Sequence, residues 1–234
     1  MREIEGDYLL AGDDWDEVVW VWRRTEAPRG CTVEIIDGVV TVTPLSAVAH
    51  HGVAERVQRR LYGAVPQDWG IYQRLTLAAP SRLGLYAPDL AVVPEEVLCT
   101  AGDFLVPVCE ARLVAEVTSK VTATRDRTHK LAGYAAAGAP LYLLIDSLAP
   151  GGPTVTLHSD PVGATYRVVR EVPFGTPVRL PEPFGCTLDT GGLAGTRVTP
   201  APPPPPPVPA PPPPSTPGPR RARGARPPGT PTRT

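Results

Sequence analysis

Lysine is nearly missing from this chain: of 23 basic residues only Lys120 and Lys130 are lysine and the rest are arginine. Either composition drifted there, or lysine was kept where a compact ammonium on a flexible stem does something a planar guanidinium cannot. Both lysines follow shortly after Glu116, which sits in the apolar run Leu113-Val114-Ala115-Glu116-Val117. Cysteine is scarce too. Cys31, Cys99, Cys109 and Cys186 are 68, 10 and 77 positions apart, a spacing that fits neither a CxxC metal knuckle nor a dense disulfide scaffold and leaves buried thiols as the expectation. No apolar run approaches the roughly 20 residues of a membrane span. The opening Arg2, Glu3, Glu5 and Asp7 precede only a short apolar stretch, so no signal peptide is visible and a cytoplasmic chain without a membrane partner is expected.

Acidic residues are absent from the C-terminal segment, and proline crowds it. Seventeen of the 32 prolines fall between Pro200 and Pro231, beside Arg220, Arg221, Arg223, Arg226 and Arg233. Such a segment has no apolar face to bury and is expected to be disordered or polyproline II, its first twenty residues reaching roughly 60 Å. The composition therefore divides the chain into a folded domain at 1–199 and a Pro/Arg-rich tail at 200–234. The folded part holds 18 basic against 24 acidic groups, net -6.

Within 1–199 the periodicities alternate. Trp15, Val18, Val19 and Trp22 form an amphipathic stripe, with Asp13 or Asp14 able to cap the helix. Val33 to Ile36 and Val39 to Val42, joined by Asp37-Gly38, predict a hairpin with a type I′ turn. A helix over Val48 to Ala64 turns Val53, Val57 and Leu61 inward and Arg56, Arg59 and Arg60 outward. Strands follow at Tyr72 to Leu77, Asp89 to Val93 and Leu113 to Thr118. A second helix runs from Thr122 or Thr124 to about Ala137, with Gly138 in the left-handed position past its end. Leu141 to Ile145 is a further buried strand, and Thr154 to His158 with Tyr166 to Val169 a later, more exposed hairpin. The order helix, three strands, helix, strand predicts a mixed α/β sheet with helices on its faces.

An ionised Glu116 buried in that run would cost several kcal/mol without a cation or donors. Arg112 or Arg125 could pair it. Asp89, opening the strand Leu90 to Val93, is a second acid at a strand end, where a plain turn acid is the alternative. Two carboxylates on neighbouring strands make a hard oxygen site for Mg²⁺. Lys120 has the strand parity of Glu116, but their backbones lie about 13 Å apart if extended. Lys130 on the following helix has better reach, with an exposed Asp126 to Lys130 pair at i, i+4 as its bland alternative. His50 and His51 point about 100° apart on a helix and cannot both face a metal. Glu34 is by default an acid on a hairpin face.

The strings Glu34-Ile35-Ile36-Asp37-Gly38, Pro44 with His50, Pro88-Asp89-Leu90, Glu116-Val117-Thr118-Ser119, Asp126-Arg127 with Lys130, Tyr134 with Gly138, and Leu144-Ile145-Asp146 resemble, in order and spacing, the Uma-type restriction-endonuclease family. The resemblance spans about residues 8 to 180. It implies the αβββαβ core of the PD-(D/E)XK nuclease superfamily, with Asp89 and Glu116 as the motif acids and metal ligands, and His50 and Glu34 as further site residues. Glu55 would be an additional ligand, as in some of these nucleases. The chain departs from the superfamily pattern where Thr118 stands at the motif lysine, which leaves Lys130, or less directly Lys120, for that role.

The expected activity is Mg²⁺-dependent phosphodiester hydrolysis in DNA, with Mn²⁺ as a substitute ion and a symmetric dimer suited to cutting both strands. A body at net -6 has no overall basic footprint, so local arginine patches would have to meet the phosphates. Two other classes remain open: a catalytically silent binding module on the same fold, and an interaction protein whose polyproline tail docks a proline-recognising partner.

Overall fold

The computed structural model describes residues 8–44, 46–100 and 105–193, with side chains from residue 14 onward. All belong to the first of two units, Met1–Val198, and the expected tail at 200–234 lies outside the described residues. In chain order the elements are α1 (Tyr8–Arg24), β1 (Thr32–Ile36), β2 (Val39–Thr43), α2 (Val48–Tyr62), β3 (Trp69–Tyr72), β4 (Leu77–Ala79), β5 (Gly84–Tyr86), β6 (Leu90–Pro94), α3 (Glu95–Thr100), β7 (Val106–Pro107), β8 (Leu113–Val117), α4 (Ala123–Arg127), α5 (His129–Ala136), β9 (Leu141–Asp146), β10 (Thr154–Val162), β11 (Thr165–Pro173), β12 (Val178–Arg179) and β13 (Thr187–Leu188).

These strands build two main sheets rather than the single one expected. A six-stranded sheet has the order β11-β10-β9-β8-β6-β3, a five-stranded sheet the order β2-β1-β5-β4-β7, and β12 pairs with β13. In the larger sheet β8 and β9 are parallel, joined through α4 and α5, and the other pairs are antiparallel. The run α2, β3, β6, β8, α4 with α5, β9 is the expected αβββαβ core. Helices cover both faces: Val53, Val57 and Leu61 of α2 pack on Leu113, Ala115, Leu143 and Ile145, whereas Tyr134 and Ala135 of α5 pack on Val114, Tyr142 and Leu144. Strand alternation sorts the side chains, odd residues of β8 and β9 to α2 and even ones to α5.

The local signals explain most of these elements. Asp37 and Gly38 take φ +48° and +79°, the left-handed pair a type I′ turn requires. Gly138, at φ +82°, ends α5, where Ala139 N–H reaches back to the Tyr134 carbonyl at 3.0 Å. Trp15 and Val19 are buried against Ile35, Ala78 and Leu85, with Val18 and Trp22 packed beside them.

Several expectations are corrected. Helix α1 begins at Tyr8, so Asp13 and Asp14 lie inside it rather than at its start. The strand expected at Tyr72 to Leu77 is split: Arg74 adopts φ +56°, and β3 and β4 join different sheets. The helix expected from Thr122 or Thr124 to Ala137 breaks at Thr128, whose φ and ψ of -128° and -76° separate α4 from α5. β5, α3 and β7 were not legible, being three, six and two residues long. The first half of β10 is buried, and only β11 is broadly exposed. No disulfide joins the cysteines, and Cys99 and Cys109 are exposed rather than buried. Among the described residues no helix is long and apolar enough to cross a membrane.

Candidate active site

Glu116 has the strand parity of Val114, so its carboxylate enters the α5 side of the sheet, where it is 3% exposed. The cation that meets it is neither of the arginines considered. Arg112 lies over the Trp69 ring and Arg125 donates to Thr43 Oγ1 at 3.0 Å. Lys130, itself 3% exposed, places its Nζ 2.9 Å from Glu116 Oε1 and 2.7 Å from Glu34 Oε1. The hairpin acid Glu34 is thus a full member of the cluster, its Oε1 also accepting the Ala87 N–H at 2.9 Å. Asp126 and Lys130 are not an exposed pair: Asp126 is buried, with Oδ1 4.0 Å from Nζ and neither carboxylate oxygen hydrogen-bonded.

Tyr134 donates its hydroxyl to Glu116 Oε1 at 2.8 Å. Asp126, Lys130 and Tyr134 therefore present one face to the acids at a spacing of four residues. This spacing was on view in the sequence, yet Asp126 and Tyr134 went unassigned as site residues. Gly133 makes room beside them, because a Cβ there would collide with the Tyr86 hydroxyl.

Asp89 stands just before β6 and caps the neighbouring strand. Its Oδ2 accepts the Val117 N–H at 2.8 Å, and His50 Nε2 lies 2.7 Å from its Oδ1. His50 thus reaches the site acid from α2. Glu34, His50, Asp89, Glu116 and Lys130 line one open pocket. The exposed His51 also lines it, although only His50 bonds Asp89.

Lys120 is exposed and does not line the pocket. Thr118, in the position of the motif lysine, is tied instead to Asp146 Oδ1 at 3.0 Å. Arg127 grips the same carboxylate through Nε and Nη2 at 2.7 and 2.9 Å. Burial pushes Asp146 up, but the Arg127, Leu148 N–H and Thr118 hydrogen bonds outweigh it and hold the carboxyl below its usual range. Glu55 points away from the pocket and pairs with Arg59 on the surface. Among the arginines that could form local basic patches, Arg60 is turned onto Asp189 and the Gly191 carbonyl, and Arg125 and Arg127 are engaged within the fold.

The electrostatics follow from crowding. Burial drives the Glu116 carboxyl well above the usual range; Lys130 opposes this, and Asp126, Asp89 and Glu34 add to it. Burial likewise pushes Asp126 up to about 6, against the pull of Lys130. Lys130 is pulled down by burial, but Glu116, Glu34 and Asp126 outweigh that and keep its ammonium charged. Four carboxyl groups thus gather in one cluster with a single lysine ammonium, and the further basic residues of the pocket lining are His51, Arg74 and His50, the last bonded to Asp89. Among the described residues no three His, Cys, Asp or Glu side chains form a group able to hold a metal ion unaided. Asp89 and Glu116 both line the pocket, and Mg²⁺ takes only one or two protein carboxylates, leaving its other positions to water and substrate oxygens.

A family model described as putative restriction endonuclease, Uma2, matches residues 22–191. No curated protein matches the chain. Among solved structures, the chain is similar to a putative nuclease from Anabaena variabilis ATCC 29413, at 15% identity over 76% of this chain and 96% of that one, with a TM-score of 0.56. That likeness concerns the fold, and it agrees with the restriction-endonuclease-like core described above. Since the family model spans well over half of the sequence, from within α1 to just past β13, the chain belongs to the Uma2 family.

Proposed function

We propose that this chain is a metal-dependent endonuclease that hydrolyses phosphodiester bonds in DNA, with Mg²⁺ as its ion and Mn²⁺ able to replace it. The observation that carries the reading is the charge imbalance of the cluster: Glu34, Glu116 and Asp126 gather round Lys130, Asp89 lies near enough to Glu116 to raise its carboxyl, and burial pushes the Glu116 and Asp126 carboxyls upward. A further cation would relieve that crowding and favour the ionised form of Glu116.

Asp89 and Glu116 would hold the ion, which would supply charge for the phosphoryl oxygens and an activated water. The Val117 N–H and His50 fix the Asp89 carboxylate, and Tyr134 and Lys130 fix that of Glu116. Lys130 acts as an ammonium. Its retained charge suits orienting the attacking water and stabilising the charge that develops on phosphate oxygens rather than abstracting a proton. Arg74, on the pocket lining and bonded to Thr32 Oγ1, would meet a backbone phosphate with its remaining donors.

The test is cleavage of supercoiled plasmid with Mg²⁺ or Mn²⁺. Wild type should nick the plasmid, and both chelation and Glu116→Gln should abolish nicking. Absence of cleavage on DNA and on RNA would overturn the enzyme reading in favour of a silent binding module.

A further inference from the structure

Strand β11 closes one end of the six-stranded sheet, and five successive residues on it, Arg167 to Glu171, are exposed. Val168 and Val169 are 49% and 56% exposed. Among the described residues no strand pairs with its outer edge. An uncovered edge of this length invites another strand, and proteins commonly guard such edges with charge of one sign. Here the charges are mixed, and their order is symmetric.

The direction of the free backbone groups follows from bonds further in. Thr118 N–H donates to the Ile145 carbonyl at 3.0 Å, which turns Ile145 of β9 toward β8. Leu144 and Asp146 then face β10, where they meet Thr156 and Thr154. Alternation carries on: Val155 and Leu157 turn to β11 and meet Val172 and Arg170. The bond from Phe174 N–H to the Pro153 carbonyl at 3.0 Å has the same parity. Val169 and Glu171 are thereby left with their N–H and C=O groups pointing out of the sheet.

We propose that two copies of this chain pair antiparallel through β11 about a two-fold axis at Val169. In that register Val169 lies opposite its own copy and each Arg167 opposite the partner's Glu171, two opposite-charge pairs per dimer, with Val168 beside Arg170. Shifting the axis to Arg167 or Glu171 sets like charges opposite each other. Centring it on Arg170 does the same. The sequence of the edge thus selects one register, and the two six-stranded sheets run together through it. Arg167 is held within its own chain by Asp160, an exposed contact at 2.8 Å that leaves its remaining donors for the partner. The interface is independent of the pocket residues, so its failure would leave the proposed activity standing.

The experiment is sedimentation velocity on the full chain across a concentration series, from about 1 to 200 µM, suited to a small interface. Wild type should shift from monomer to dimer. Arg167→Glu and Glu171→Arg, each with unchanged circular dichroism, should each weaken the dimer about tenfold, since each sets two like-charge pairs across the seam. An equimolar mixture of the two variants should recover wild-type association, because only the mixed dimer restores both pairs. A wild type that stays monomeric throughout would overturn the proposal. So would reversals that leave association unchanged, or a mixture that fails to recover it.

Discussion

Replacing Lys130 by methionine removes the ammonium while keeping nearly the same length and apolar bulk, so the consequences fall on the acids it leaves behind. Glu34 and Glu116 lose contacts of 2.7 and 2.9 Å in a place where Lys130 is 3% exposed. Leaving a buried charge without its partner costs about 3–5 kcal/mol. A carboxyl group can escape that by taking a proton, at a cost set by the distance between pH and its unfolded pKa of about 4.3: roughly 5 kcal/mol at pH 8 and roughly 1 kcal/mol at pH 5. Carboxyls whose folded pKa is raised destabilise the fold above their unfolded pKa, so acidification relieves them. Lys130→Met should therefore lose about 3–5 kcal/mol at pH 8 and only about 1–2 kcal/mol at pH 5, measured by urea unfolding followed by circular dichroism. Added Mn²⁺ should return part of the loss at pH 8. A loss equal at both pH values, or below about 1 kcal/mol at pH 8, would refute the picture of a lysine neutralising buried acids.

Glu116→Gln should keep the fold while reducing Mn²⁺ binding by at least about 10-fold in calorimetry, as expected for loss of a metal ligand or its support; unchanged binding would remove Glu116 from the site. Lys130→Arg should lose plasmid cleavage, because a forked guanidinium does not fit between Glu34 and Glu116, whereas the exposed Lys120→Arg should be silent. The reverse outcome would reassign the lysine. His158, buried between Tyr142 and Tyr166 and pulled down to about 4 by burial, stays neutral in the fold while the unfolded chain takes up a proton below about pH 6.5. Stability should then fall from pH 6.5 toward 4 by about 1–2 kcal/mol, allowing for solvent screening, and His158→Phe should flatten that slope in urea titrations.

Which parts of this site could be read from the sequence depended on whether the signal was local. Asp37-Gly38 and Gly138 each fix backbone direction within a few residues, and both appear in the fold as expected. The same locality explains the misses. Arg74 at φ +56° splits an apparent strand, and no propensity marks an arginine for the left-handed region. Thr128 interrupts a helix whose apolar pattern runs on without a break. β5 and β7 exist because other strands present edges to them, so tertiary pairing rather than local pattern decides them.

The lysine illustrates the intermediate case. Lys120 shared parity with Glu116, and Lys130 had only helical reach, so distance along the strand was the deciding quantity. The structure turns on the constraint that the apolar run already implies, that Glu116 cannot remain ionised in an apolar layer without a cation, and adds which element brings that cation. That element is α5, on the even-residue side, and its Lys130 and Tyr134, next to Asp126 of α4, supply both the ammonium and a hydroxyl donor. Once Lys130 occupies the cluster, Thr118 is released from that duty and can bond Asp146, where Arg127 holds the sheet end against α4. The departure at Thr118 and the retention of Lys130 are thus two consequences of one requirement, that the acid on β8 be neutralised from the helix. Exchanging them, with Thr118→Lys and Lys130→Thr in one chain, should strand Asp146 beside a second cation and, unless the new lysine bends back to Glu116, leave that acid buried without its charge partner; the double variant should unfold at a lower urea concentration than Thr118→Lys alone.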